Sequence, residues 1–347
     1  MASKPICVTG ATGYLAAYII RDLLAKGHRV RGTVRSLKNE QKLAPLRALP
    51  GAADALDLVE ADMLRPSCFD AMLQGCCGLI HTACPIEIPM DGSPPASTME
   101  EAQTKQLSPA VDGTSALLRS ASSAGIGRIV LTSSIAAMRF TATPADVVSE
   151  GCWSDEAFLR EQLFLSGPAC YALAKTLQER EAWRLAEELG LDLVVINPAL
   201  IIGPSLTTHL NFSLELLLSV LEGRGSPFDV STAGTLPDKY KSWVDVREVS
   251  EAHVLAFEKE DAEGRYFLQS SSAHYADVVA ILRKHPSLSH KPEFPIDSPD
   301  GIRESKSGKF DNSKAQRLGV NWIPLEQSVK ESVDSLVAAG FIKPAKL

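Results

Sequence analysis

The sequence is short of several patterns that would fix its chemistry at once. Its seven cysteines are odd in number and contain no C-x-x-C pair, which excludes a disulfide framework and reads as a reduced, cytoplasmic chain. Cys76 and Cys77 are adjacent, and buried packing is the expected role of such a pair. The seven histidines show neither H-E-x-x-H nor zinc-finger spacing, so no metal site is expected. No apolar run reaches the roughly 20 residues of a membrane span. The opening "MASKPICVTG" enters a strand-like run directly, without the long apolar stretch of a secretory signal, so no membrane partner is expected. An excess of positive charge is also missing: 35 Lys and Arg stand against 42 Asp and Glu, a net charge of −7, which argues against a nucleic-acid partner. Internal repeats and low-complexity segments are absent.

What is present is a strand–helix rhythm. The 347 residues suffice for one large α/β domain or two smaller ones. Short β-rich runs occur at "ICVTG" (6–10), "RVRGTV" (29–34), "LDLVEA" (56–61), "GLIHTA" (78–83), "RIVLTSS" (128–134) and "LDLVVINP" (191–198). Helical runs lie between them, notably 14–27, 110–125 and 171–189, with Gly27 and Gly190 as stops. Such alternation predicts parallel strands joined by right-handed crossovers, a Rossmann-type doubly wound sheet. Beyond about residue 200 the rhythm gives way to Gly-, Pro- and Ser-rich stretches, a strand running into a helix at 241–260, and a last helix at 324–340. The expected division is a dinucleotide-binding domain over 1–200 with roughly 241–270, and a smaller irregular lobe over roughly 201–240 and 271–347. "PMDGSPPAS" (89–97) reads as a loop off the fourth strand; 90–105 and 203–240 would wall the substrate site.

Ligands bind these sheets at the carboxyl ends of the strands, where strand order reverses. The first strand closes in "TGATGYLA", with Gly10 and Gly13 spaced G-x-x-G and Ala16 as a third small residue. Gly10 permits the turn, and Gly13 lets backbone approach a pyrophosphate at a helix N-terminus. Thr12, Tyr14 and Leu15 belong to the same expected cradle. After the second strand comes "TVRSLKNEQK", where an NAD site wants an acid and an NADP site a cation. Arg35 takes that position, Lys38 and Lys42 follow, and NADP(H) is the expected cofactor. Asp62 is a candidate acceptor for the adenine amino group, and Met63 would lie against the ring. Thr82, Ala83 and Thr132 would pass beside the cofactor, whereas His81 reads as a packed strand residue.

The fifth strand ends in "LTSSIAA", and further on "ACYALAKT" sets Tyr171 four residues before Lys175, one turn apart on a helix. A free phenol, with a pKa near 10, is too weak an acid for efficient work at neutral pH. Lys175 and an oxidised nicotinamide would depress it. A serine hydroxyl at Ser134 would hold the carbonyl oxygen as it gains negative charge, with Ser133 as the alternative.

These residues resemble the extended short-chain dehydrogenase/reductase family, most of all its dihydroflavonol reductase and cinnamoyl-CoA reductase branch and the related microbial methylglyoxal and carbonyl reductases. The likeness rests on "VTGATGYLA", "TVR" with Lys42, "FDAMLQGCCGLIHTACP", "RIVLTSS", "EGCWSD", "YALAK", "NPALIIGP", "WVDVREVSEAHVLAFE" and "FDNSKAQRLG", and spans nearly the whole chain. It implies a Ser134–Tyr171–Lys175 triad, an Arg35–Lys42 phosphate-binding pair, and Pro198 and Ala199 beside the nicotinamide. It further implies an NADPH-dependent reduction of an aldehyde or ketone, a small-molecule carbonyl substrate, and a monomer or homodimer. Cinnamoyl-CoA reductases carry an "NWYCYGK"-like signature around the tyrosine; "GPACYALAK" here departs from it and speaks against a CoA thioester. A nucleotide-sugar epimerase or dehydratase, or a hydroxysteroid-type dehydrogenase, shares the fold. Arg35 and the missing acid after "TSSIAAM" weigh against the epimerase. A non-catalytic NADP-sensing protein is a third reading, and the retention of both Tyr171 and Lys175 opposes it.

Overall fold

A computed structural model describes residues 4–84, 96–164, 167–222, 238–288 and 306–343. The strands of the first half form where apolar runs can be buried on both faces of a sheet. β1 (Ile6–Thr9), β2 (Val30–Val34), β3 (Leu56–Glu60), β4 (Gly78–His81), β5 (Arg128–Thr132) and β6 (Asp192–Pro198) match the six sequence-predicted runs to within two residues. Successive side chains alternate between two cores, as the strand period of two requires. Ile6 and Val8 join one core and Cys7 the other; Val194 and Ile196 are likewise separated from Leu193 and Val195.

The helix α1 (Tyr14–Ala25) follows β1, α2 (Glu40–Arg47) follows β2, α3 (Phe69–Leu73) precedes β4, and α4 (Ser108–Ser123) precedes β5. Between β5 and β6 runs α5 (Gly167–Leu189), which begins four residues before the sequence-predicted start. Pro168 looks like a helix stop, yet in a first turn its missing N–H has no intrahelical acceptor to satisfy. Gly190 ends the helix in the left-handed conformation at φ 64°.

Past β6 lie β7 (Leu200–Ile202), α6 (Phe212–Glu222), β8 (Tyr240–Asp245), α7 (Val246–Glu258), β9 (Gly264–Leu268), β10 (Ser271–His274), α8 (Tyr275–Arg283) and α9 (Leu325–Ala338). β9 adds a seventh strand that the sequence reading did not separate from its surroundings. The main sheet is parallel throughout, in the order β9-β6-β5-β4-β1-β2-β3. A small sheet, β10-β8-β7, stands beside it, and Val147–Val148 pairs with Lys309–Phe310. The chain turns one way from β1 to β3 and the other from β4 to β9, so strand order reverses between β1 and β4. A crevice opens there, at the strands' carboxyl ends.

Most of the expected loop at 89–97 lies outside the described residues, as do 223–237 of the expected substrate wall and 289–305 of the expected smaller lobe. From Met99 the chain is helical, Met99–Ala102 continuing into a π-helical turn at Gln103–Leu107. Among the described residues no helix is long and apolar enough to cross a membrane.

Candidate active site

The crevice is a cavity of about 810 Å³ that runs across the ends of β1, β2, β3, β4, β5 and β6. At the β1 end, Gly10, Thr12, Gly13, Tyr14 and Leu15 form its wall. Gly10 adopts φ +69°, and a Cβ there would come within 3.2 Å of Ala83. A Cβ on Gly13 would meet the Gly10 carbonyl oxygen at 3.0 Å. No side chain caps the N-terminus of α1. A glycine cradle over uncapped helix N–H groups fits a pyrophosphate. The Tyr14 hydroxyl is committed elsewhere: it donates to the Gly203 carbonyl at 2.8 Å, tying the turn to the end of β7.

Arg35 and Lys42 line the cavity beyond β2, while Lys38 does not reach it. Asp62 and Met63 line it beyond β3, and the Asp62 carboxylate accepts from the Leu64 N–H at 3.0 Å. Thr82 and Ala83 form the β4 edge. Their backbone N–H groups both donate to Thr9 Oγ1 at 3.1 Å, which pins this edge to β1. His81 lies off the wall, buried, bridging Thr9 Oγ1 at 2.8 Å and Thr114 Oγ1 at 3.3 Å. Burial holds its imidazole down to about 3, with Lys175 contributing, so it stays neutral. With Thr9 Oγ1 accepting both backbone N–H groups, its own proton points to His81.

Thr132, Pro198 and Ala199 form the floor beside Ser134, Tyr171 and Lys175. Ser134 and Tyr171 face the same part of the cavity, and the Ser134 side chain is among the groups that act on the Tyr171 phenol. Ser134 Oγ also accepts from the Ala136 N–H at 3.1 Å, in the turn that follows β5. Ser133 also touches the cavity, but its hydroxyl donates to the carboxylate of Glu179 at 2.6 Å. Lys175 is buried and donates to the Thr132 carbonyl at 3.2 Å and Gln178 Oε1 at 3.1 Å. Burial works against its charge, but the neighbouring Cys84 thiol and Tyr171 phenol outweigh it, and the ammonium is held above the ordinary lysine range.

The expectation of a depressed phenol is corrected here. Burial raises Tyr171 above the ordinary value, and the opposing pull of Lys175 and Ser134 does not overcome it. Burial dominates because a phenolate loses more hydration than one buried ammonium returns.

Glu179 went unremarked in the sequence, although it continues the four-residue spacing of Tyr171 and Lys175 along one helix face. It is fully buried, and besides Ser133 it accepts from Asn197 Nδ2 at 2.8 Å and Arg265 Nε at 2.7 Å. Arg265 comes from β9 and stacks 4.0 Å from the Trp153 ring. The ends of β5 and β6 and the start of β9 are therefore gathered on one carboxylate behind the cavity. Cys84, Arg139, Phe140, Phe212 and Lys241 also line the cavity. They sit in irregular segments, at the start of α6 and in the small sheet, where no periodic pattern singles them out.

The described residues contain no group of His, Cys, Asp and Glu that would hold a metal. The sequence profile described as the NAD dependent epimerase/dehydratase family matches residues 6–268. A cinnamoyl-CoA reductase of Medicago truncatula is 38% identical over 95% of both chains. A tetraketide alpha-pyrone reductase of Arabidopsis thaliana is 36% identical over 90% of this chain and 91% of its own. The crystal structure of Candida albicans Gre2 in complex with NADPH superposes with a TM-score of 0.81 at 30% identity, covering 97% of this chain and 99% of that one. The chain belongs to the NAD dependent epimerase/dehydratase family, within the extended short-chain dehydrogenase/reductases and beside their cinnamoyl-CoA reductase branch.

Proposed function

We propose that the protein is an NADPH-dependent reductase that converts an aldehyde or ketone to an alcohol, with Ser134, Tyr171 and Lys175 as its catalytic residues. The observation that carries this reading is that Ser134, Tyr171 and Lys175 line the same cavity as the Gly10–Gly13 cradle. The Candida albicans relative with NADPH bound supports the cofactor. Arg35 and Lys42 would grip its 2′-phosphate. NADPH, when bound, supplies the hydride. Ser134 donates a hydrogen bond to the carbonyl oxygen, and Tyr171 gives that oxygen its proton as charge develops there. A phenol held above its ordinary value stays protonated, the form a reduction needs. Lys175 stabilises the phenolate left behind until it regains a proton from solvent. Ser133, whose hydroxyl is spent on Glu179, holds the strand end rather than the substrate. The segments 201–240 and 271–347 would carry substrate choice.

The test is NADPH oxidation followed at 340 nm on a panel of aldehydes, α-ketoaldehydes, ketoesters and dihydroflavonols. Tyr171→Phe should lower kcat/KM about 10²–10⁴-fold while NADPH still binds; unimpaired turnover would remove Tyr171 as the acid. Arg35→Asp should cost NADPH about 10–100-fold in kcat/KM and leave NADH far less affected. Equal losses for the two cofactors would overturn the phosphate assignment.

A further inference from the structure

Off the cavity wall, a line of buried polar side chains runs from Lys175 to the end of β1 and takes no part in the steps above. Gln178, three residues beyond Lys175 on the same face of α5, is buried, and its Oε1 accepts from Lys175 Nζ at 3.1 Å. Its Nε2 donates to Thr114 Oγ1 on α4 at 2.7 Å. Thr114 Oγ1 meets His81 Nε2 at 3.3 Å, and His81 Nδ1 meets Thr9 Oγ1 at 2.8 Å. Thr114, His81 and Thr9 are buried as well. The donors along this line follow from one another. Lysine only donates, so the Gln178 amide turns its oxygen to Nζ and its nitrogen to Thr114. The Thr9 proton goes to Nδ1, so the neutral imidazole carries its own proton on Nε2 and gives it to Thr114. Both acceptor sites of the Thr114 hydroxyl are then filled, one from α5 and one from β4.

We propose that Gln178 is a positioning residue for the reduction: it sets the direction of the Lys175 ammonium, and the line through Thr114 and His81 sets Gln178. The proposal rests on the reductase reading above. A lysine ends in three donors on a flexible four-carbon stem. The Thr132 carbonyl, at 3.2 Å, holds one of them and by itself would leave the head free to swing about that bond. A second acceptor at a fixed place, Gln178 Oε1, stops the swing and leaves the third N–H for the cavity that Lys175 lines with Tyr171. At its far end the line is anchored in the sheet, because Thr9 closes β1 and accepts from the N–H groups of Thr82 and Ala83. The ammonium is therefore placed before carbonyl or dinucleotide arrives, and little reorganisation is left to the reaction. The other titratable groups that act on Lys175 are Tyr171 and Glu179 on α5, Cys84 after β4 and His81 in β4. Of these, Glu179 is engaged by Ser133, Asn197 and Arg265, and His81 is neutral.

The full chain is assayed on the best substrate of the carbonyl panel, with folded sites counted by the fluorescence of bound NADPH. Gln178→Leu occupies similar space without the acceptor. It should lower kcat per site about 10–100-fold, the worth of one hydrogen bond to a charged group, with KM and NADPH affinity little changed. Thr114→Val frees the amide without touching Lys175 and should show a smaller loss in kcat. The double variant should be no slower than Gln178→Leu alone, because both changes act on one ammonium. Run in reverse, with NADP⁺ and the product alcohol, the reaction uses the Tyr171 phenolate as its base, and Lys175 helps set the pH at which the rate rises. That limb should move to higher pH in Gln178→Leu, since a misplaced ammonium stabilises the phenolate less. An unchanged kcat per site in Gln178→Leu, additive losses in the double variant, or a limb that stays in place overturns the positioning role and leaves the reductase reading standing. Failure of the native chain to oxidise NADPH with any carbonyl of the panel removes that reading and the positioning role together.

Discussion

The long helix α5 carries charge on two faces, and the two are chemically alike but physically opposite. Its inner face presents Tyr171, Lys175 and Glu179 to the strand ends, and Lys175 and Glu179 are buried. Its outer face carries Arg184 between Glu181 and Glu188, at 2.7 and 2.6 Å, in open solvent. Both faces contain short ion pairs with good geometry. On the outer face water already solvates each partner, so the pair gains little over its separated state. On the inner face nothing but protein can satisfy Glu179, and Ser133, Asn197, Trp183 and Arg265 all do so. Distance alone therefore does not rank these interactions; burial does.

The largest expected effect comes from breaking the inner pair. Glu179→Ala leaves Arg265 charged and enclosed, and should lower the unfolding free energy in urea by about 3–5 kcal/mol. Glu179→Leu combined with Arg265→Met should recover much of that loss, because no buried charge is then left alone. A single-variant loss below about 1 kcal/mol would put the inner face in the same class as the outer.

A more gradual effect, spread over several pH units, sharpens the contrast. His81 reaches the inner face through Thr114, which accepts from Gln178 Nε2 at 2.7 Å. His253 accepts from Thr132 Oγ1 at 2.7 Å and donates to the Val249 carbonyl at 2.7 Å. Burial lowers both, to about 3 for His81 and about 4 for His253. The unfolded chain protonates them below about pH 6.5, and the folded chain only far lower. Their contribution is whole above pH 6.5 and is lost as pH falls through 4 toward 3, by about 1.4 kcal/mol per unit for each. Urea midpoints between pH 7 and 5 should fall, and His253→Asn should flatten that slope; an unchanged slope would mean that the folded imidazole takes up its proton at the same pH as the unfolded one. The smallest effect belongs to Arg184→Ala, which should leave the urea midpoint within its scatter and be insensitive to salt. A clear drop there would show the outer network to be worth more than solvated charges allow.

Legibility followed periodicity. β1 to β6 were readable because both-face burial demands continuous apolar runs between turn residues. β9, "GRYFL", was equally apolar, but it follows a stretch without regular alternation and so did not stand apart. The start of α5 lies four residues before Tyr171, with Pro168 in its first turn, where proline is tolerated. Gly10, Gly13, Arg35, Lys42, Ser134, Tyr171 and Lys175 could be named because each sits at a fixed offset from a strand end or along a helix face, and all of them line one cavity. Arg139 and Lys241 could not, since they lie 102 residues apart in an irregular segment and a small sheet.

By itself, then, the order of residues determined a doubly wound sheet, a glycine cradle followed by cations in place of an acid, and a phenol one helical turn from an ammonium. These are local patterns, written within a few residues of one another. Only the folded chain decided that Glu179 and Arg265 would meet, that Ser133 would be spent on that carboxylate and Ser134 left to the cavity, and that the phenol would be raised rather than depressed. Each of those depends on which distant groups exclude water from a side chain, and exclusion of water is a property of the packed whole.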